Sequence, residues 1–311
     1  MRAARIHRYG PPDVIVIDDL PRPTPAPDQV LVRVSHAGVG PWDALIREDK
    51  SVVASPLPII LGSDFSGAVE AVGSAAHPFQ PGDEVYGVTN PQFIGAYAEY
   101  ALASAAMIAR KPASLSFADA ASAPVVAVTA WQMLFDYAHA QPGQSVLIHG
   151  AAGSVGAYAV QLARRAGLQI FATARSADIP YVESLGAQKV IDFTATRFED
   201  VVPSVDIVLD LVGGETKNRS FALVKPGGIL VSVVSKSVPE QNAANPVRSV
   251  FFLVEVTIER LDKLTELFDR GELKTSVGTI LPLDQARRSH EMLAGAPHRR
   301  GKILLSMSNG A

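Results

Sequence analysis

Between residues 146 and 156 the chain reads Val146-Leu147-Ile148-His149-Gly150-Ala151-Ala152-Gly153-Ser154-Val155-Gly156, an apolar strand leading through a glycine-rich turn into a helix. No other stretch constrains the fold as tightly, because strand, turn and helix in this order open a βαβ unit. Gly150 permits the tight turn, Gly153 leaves backbone room for a pyrophosphate, and Gly156 lets the helix pack closely on the strand. The glycine pattern is relaxed, with Ala152 standing between Gly150 and Gly153. Free N–H groups in the helix's first turn, helped by the helix dipole, face the phosphates. A nucleotide on Gly150, Ala151, Ala152, Gly153, Ser154 and Val155 is the expectation. A structural αβ turn is the alternative.

The second strand, Leu168 to Ala174, bears on which nucleotide. An NAD site usually ends this strand with an acid that holds the ribose hydroxyls. Here Thr173-Ala174-Arg175-Ser176 carries none before Asp178. Arg175 can pair bidentately with a 2′-phosphate and Ser176 can donate a further hydrogen bond, which points to NADPH. The other reading makes Arg175 a solvated residue at a strand end.

The surrounding texture predicts an α/β fold. Strands at 145–149, 168–174, 189–191, 205–211 and 229–234 alternate with helices at 155–166 and 179–185, the pattern of a parallel sheet covered on both faces. Upstream, short β-branched runs at 14–17, 30–34, 67–73 and 83–88 are bounded by Gly and Pro, and suggest a barrel-like domain. Pro21 to Pro27 must be an extended connection. Ser116 looks like an N-cap before a helix-rich stretch from Ala120 to Ala140. After Val256 a charged helix (259–270) leads to two strands near 279–281 and 302–305, which lack their own core and are expected to rejoin the first domain. The divisions are 1–120, 121–256 and 257–311.

Charge and composition exclude other classes. A net charge of −3 gives no electrostatic footprint for nucleic acid or an anionic membrane. The chain has no cysteine, which removes thiolate nucleophiles, disulfides and Cys-based zinc sites and fits a reducing compartment. Residues 1–9 lack a signal-peptide core, and no apolar run is long enough for a membrane span, so a cytoplasmic protein is expected.

Several segments resemble one family in its own order: Gly62-Ser63-Asp64-Phe65-Ser66-Gly67, Gly95-Ala96-Tyr97-Ala98-Glu99-Tyr100, Thr129-Ala130-Trp131, Gly150 to Gly156 with Gln161-Leu162-Ala163, Leu185-Gly186-Ala187, Val224-Lys225-Pro226-Gly227-Gly228 and Gly301-Lys302-Ile303. Together they resemble the medium-chain dehydrogenase/reductase superfamily, within it the zinc-independent quinone oxidoreductase (zeta-crystallin-like) branch. The resemblance implies a GroES-like β-rich domain, a Rossmann domain and a cleft between them that reduces a small conjugated carbonyl. It implies cofactor contacts from Pro41, Thr129, Thr173, Ala174, Phe193 (beside the adenine), Leu211, Val212 and Val233, in addition to the turn, Arg175 and Ser176. It also implies a homodimer, paired through the edge strand of the Rossmann sheet.

Zinc-dependent members need Cys and His ligands, whereas this chain has Gly62-Ser63-Asp64 at the corresponding segment and seven scattered histidines. Many relatives carry Asn-Pro-x-Asp where this chain has Gly40-Pro41-Trp42-Asp43. The proton-donating Tyr of enoyl-thioester reductases is missing between Arg47 and Ile60, and a Lys common after the second strand is absent from Ser176-Ala177-Asp178-Ile179-Pro180. No catalytic residue is assigned. Trp42, Asp43, Tyr97, Phe251 and Phe252 are acceptor-site candidates, each set against a packing role, and His149 reads as structural. The leading function is NADPH-dependent reduction of a quinone or an α,β-unsaturated carbonyl without zinc. The alternatives are a non-catalytic NADPH-binding redox sensor and a zinc-free alcohol dehydrogenase.

Overall fold

A computed structural model describes residues 1–53, 56–236 and 247–307. The chain forms two compact units, one from residues 1–125 and 256–311, the other from 126–255.

The first unit is built from β1 (Arg2–Ile6), β2 (Ile15–Asp19), β3 (Gln29–Val39), α1 (Pro41–Arg47), β4 (Ile59–Ile60), β5 (Asp64–Val72), β6 (Glu84–Val88), β7 (Tyr100–Ser104), β8 (Ile108–Arg110) and α2 (Phe117–Ala121). The Val14–Ile17 strand expected from sequence starts one residue late. Pro12, Asp13 and Val14 form a 3₁₀ turn behind Pro11, since proline at the turn's start presets its backbone. Ser116 caps α2, its side chain accepting from the Asp119 amide at 3.1 Å.

The helix-rich stretch 120–140 is broken rather than continuous. Pro124 starts α3 (Pro124–Trp131), which passes into a π-helical turn, Gln132–Tyr137. In the second unit follow β9 (Ser145–Ile148), α4 (Ser154–Arg165), β10 (Gln169–Ala174), α5 (Ile179–Leu185), β11 (Lys189–Asp192), β12 (Val205–Asp210), α6 (Gly214–Ser220), β13 (Val224–Ser232) and β14 (Arg248–Phe251). All pair in parallel in the order β11-β10-β9-β12-β13-β14, the doubly wound arrangement. Leu147, Val208 and Leu230 on three strands pack with Phe198, Val202 and Leu223 in one buried cluster. Each such side chain contributes roughly 1.5–3 kcal/mol on burial.

The chain then completes the first unit with α7 (Ile258–Asp269), β15 (Val277–Pro282), α8 (Ala286–Leu293) and β16 (Lys302–Ser306). β16 lies antiparallel to β3, with Leu304 opposite Gly38, and carries β15 on its other edge. Among the described residues no helix is long and apolar enough to cross a membrane.

Candidate functional site

Gly150 lies in the turn after β9 at φ +69°, a left-handed conformation that a side chain would strain. The Ala151 amide donates to the Thr173 carbonyl at 3.2 Å, tying the turn to β10. A Cβ on Gly156 would lie 2.3 Å from the Gly150 carbonyl oxygen and 2.7 Å from Ala151 Cα, so the first turn of α4 rests directly on the loop. The Ser154 and Val155 amides open α4 and have no intrahelical acceptor. Sheet order reverses between β9 and β12, and the turn sits at the carboxyl end of β9 beside that switch point.

A cavity of about 280 Å³ opens at the same end of the sheet, lined by His149, Gly150, Thr173, Phe193, Val212 and Arg219 among others. Phe193 and Val212 are each about half exposed, at 52% and 51%, and give the cavity apolar surface suited to a flat base. Thr129 lies buried near the end of α3, and Pro41 opens α1 in the other unit; neither lines this cavity.

His149 lies wholly buried under the turn. Its Nε2 meets Ser220 Oγ at 2.8 Å while Ser220 Oγ donates to the Thr216 carbonyl. The Ser220 hydroxyl has only one proton to give, so Nε2 carries the ring hydrogen and Nδ1 accepts from Thr173 Oγ1 at 3.0 Å. Burial lowers its pKa to about 4, which keeps the ring neutral and structural.

Two carboxylates that the sequence did not single out organise the loops around the cavity. Asp210, at the end of β12, accepts from the Val212 and Gly213 amides at 3.1 and 2.7 Å and from Ser232 Oγ at 2.7 Å. Ser232 Oγ in turn accepts from the Val234 and Ser235 amides, and Lys217 Nζ donates to the Ser235 carbonyl at 2.6 Å. The segments bearing Leu211, Val212 and Val233 are thus clasped to one another. Asp192, at the end of β11, accepts from the amide and hydroxyl of Thr194 at 2.9 and 2.7 Å. Arg175 and Ala174 end β10 beside it, with Ala174 in register opposite Asp192 and the Arg175 side chain exposed.

In the first unit, Tyr97 and Asp43 are buried, at 0% and 3% exposure. Their burial accords with the packing role set against each as an acceptor-site candidate. The Tyr97 hydroxyl donates to Asp43 Oδ2 at 2.9 Å, and the Gly40 amide donates to the same oxygen at 2.8 Å, capping α1. Asp43 Oδ1 is buried without a partner. Desolvation drives the Asp43 carboxyl up to about 7 and the Tyr97 hydroxyl well above its usual range. Next to them Lys302 Nζ donates to Asp64 Oδ2 at 2.9 Å, and Asp64 Oδ1 accepts from the Val125 amide at 2.9 Å. A Cβ on Gly40 would stand 3.3 Å from Lys302 Nζ, so the departure from asparagine at position 40 leaves space that this ammonium uses. On the other side of Tyr97, His290 stacks edge-on at 6.0 Å, and its Nδ1 takes Arg47 Nη1 at 2.7 Å.

Trp42 is half-buried with its ring edge-on to Phe93 at 5.8 Å. Phe252 is buried and stacked on Tyr137 at 4.3 Å, while Phe251 at the end of β14 is partly open. Among the described residues no group of three or more His, Cys, Asp or Glu side chains is placed to hold a metal ion.

Comparison with known proteins matches residues 26–113 to the alcohol dehydrogenase GroES-like domain and residues 185–305 to the zinc-binding dehydrogenase domain. The quinone oxidoreductase of Homo sapiens is 31% identical across 98% of this chain and 97% of its own length. The chain belongs to the medium-chain dehydrogenase/reductase superfamily. As a medium-chain dehydrogenase/reductase it is an oxidoreductase, with a GroES-like unit and a Rossmann-like unit carrying the features of its quinone oxidoreductase members. A 2-methylene-furan-3-one reductase of Solanum lycopersicum is 34% identical over 88% of this chain and 70% of its own. The quinone oxidoreductase of Escherichia coli, solved in complex with NADPH, superposes with a TM-score of 0.88 at 26% identity, covering 98% of this chain and 100% of that one.

Proposed function

We propose that this oxidoreductase binds NADPH on the second unit and reduces a quinone or an α,β-unsaturated ketone or aldehyde without zinc. The observation that carries the reading is the turn from Gly150 to Gly156, its helix amides open at the sheet's switch point, with Arg175 exposed at the end of the neighbouring strand. The loop is a cradle that side chains on Gly150 and Gly156 would fill, as a dinucleotide site requires. The relatives' activities on quinones and on a methylene-furanone support this acceptor class, and the NADPH complex of the Escherichia coli protein supports the cofactor.

When bound, NADPH supplies the hydride. The chain's own work is to hold the diphosphate on the Gly150–Val155 backbone, the 2′-phosphate at Arg175 and the base between Phe193 and Val212, with Asp210 fixing the loops. The zinc-free reading rests on Asp64, whose two oxygens are taken by the Lys302 ammonium and the Val125 amide, and on the absence of cysteine. A reduced conjugated acceptor takes up its proton from water, since Tyr97 and Asp43 are bonded to each other and shielded. The protein is read as a cytoplasmic homodimer with a small-molecule substrate and neither nucleic-acid nor membrane partners, β14 offering an edge that is unpaired among the described residues.

A titration with NADPH and NADH side by side tests the cofactor assignment. NADPH is expected to bind more tightly, and Arg175→Ala to remove the difference. An NADPH affinity that Arg175→Ala leaves unchanged would dismiss Arg175 as a phosphate clamp.

A further inference from the structure

We propose that Asp192 is a specificity-determining residue that limits the preference for NADPH over NADH, by holding a fixed negative charge beside a 2′-phosphate bound at Arg175. The inference rests on the cofactor reading above and adds an element that opposes it. An acid on the ribose side of a Rossmann site is looked for at the end of the second strand, where this chain has Arg175. The structure supplies one from the third strand instead.

Asp192 closes β11 in register with Ala174, the residue before Arg175, and neighbouring strands lie only about 4.8 Å apart. Its carboxylate is anchored by the Thr194 amide and hydroxyl, so it does not swing away from β10. Arg175 follows that register pair by one residue, so a 2′-phosphate bound there meets the fixed carboxylate at the neighbouring strand end. Asp192 is partly exposed and hydrogen-bond donors hold its carboxyl below the usual range, so it stays charged at neutral pH. A phosphate dianion beside it is disfavoured. The ribose 2′-hydroxyl of NADH, a hydrogen-bond donor, suits the same carboxylate. Arg175 and Asp192 therefore pull the site in opposite directions.

The test is the dissociation constant of each nucleotide, NADPH and NADH, for the unaltered protein, Asp192→Asn, Asp192→Ser and Arg175→Ala, with thermal unfolding to confirm that each variant folds. Asn keeps an acceptor for Thr194 while removing the charge. Both Asp192 variants are expected to raise the ratio of NADPH to NADH affinity by about tenfold, the effect of one charge at this range between surface and bulk dielectric. The gain should shrink as salt is added. A ratio unchanged in both folded variants, while Arg175→Ala still weakens NADPH, would overturn the role of Asp192 and leave the cofactor assignment standing. Failure of the unaltered protein to bind either nucleotide would overturn both.

Discussion

The Tyr97 hydroxyl donates to Asp43 Oδ2 at 2.9 Å inside the barrel-like unit, 54 residues apart in sequence, and the same oxygen caps α1 through the Gly40 amide. The pair joins the strand-rich core to the helix that carries Trp42. Tyr97→Phe leaves Asp43 with one donor instead of two and is expected to destabilise the first unit by about 1–3 kcal/mol, read by urea unfolding. An unchanged midpoint would show that the hydroxyl contributes nothing there.

Asp43 also makes stability fall as pH rises. Its folded pKa of about 7 lies above the ordinary 3.8, so the folded state binds more protons over that interval. The associated stability is full below about pH 4 and is lost as pH climbs through 7. Asp43→Asn is expected to flatten the dependence of unfolding free energy on pH between 5 and 8, as measured by urea titrations at several pH values. The same slope in both proteins would contradict the assignment.

His149 and His290 act in the opposite sense. Burial lowers them to about 4 and about 3 from 6.5, so the unfolded chain binds more protons in acid. Their stability is present above pH 6.5 and is lost as pH falls towards those values. Because His149 braces the turn through Thr173 and Ser220, acid should weaken nucleotide binding before the first unit unfolds. His149→Asn is expected to lower the melting temperature at pH 7 and to reduce its acid sensitivity, checked by calorimetry from pH 7 down to pH 5.

The glycine turn gives a sharper steric prediction. Gly156→Ala places a methyl group 2.3 Å from the Gly150 carbonyl oxygen, so helix or loop must shift. Nucleotide affinity should drop by at least tenfold, on the order of 1.4 kcal/mol or more. Gly153→Ala, whose Cβ would meet only the Gly150 oxygen at 3.2 Å, should fold more nearly like the parent. Indistinguishable affinities for the parent and Gly156→Ala would show that the close packing is not needed.

Much of this fold was legible because its signals are local. The glycine spacing, the apolar runs of the parallel sheet and the Ser116 cap each lie within one short segment, and every strand expected from 145 onwards is found within a few residues of its place. What escaped is tertiary. Lys302 opens β16 and is buried against Asp64, 238 residues away. Lys217, on α6, is buried with its ammonium on the Ser235 carbonyl after β13. Asp192 follows a short apolar run, and only the pairing of β11 with β10 brings it beside Ala174. Tyr97 and Asp43 stand 54 residues apart, and no pattern in the sequence tells that they bond to each other.

The most direct test of the account is single turnover: the purified protein, charged with NADPH, is mixed anaerobically with a quinone and separately with an α,β-unsaturated ketone, and absorbance at the nicotinamide band is followed. The account predicts loss of that absorbance matched mole for mole by reduced acceptor, in protein freed of metal by a chelator. Nucleotide that binds but is oxidised by neither acceptor class, or turnover that returns only with added zinc, would contradict it.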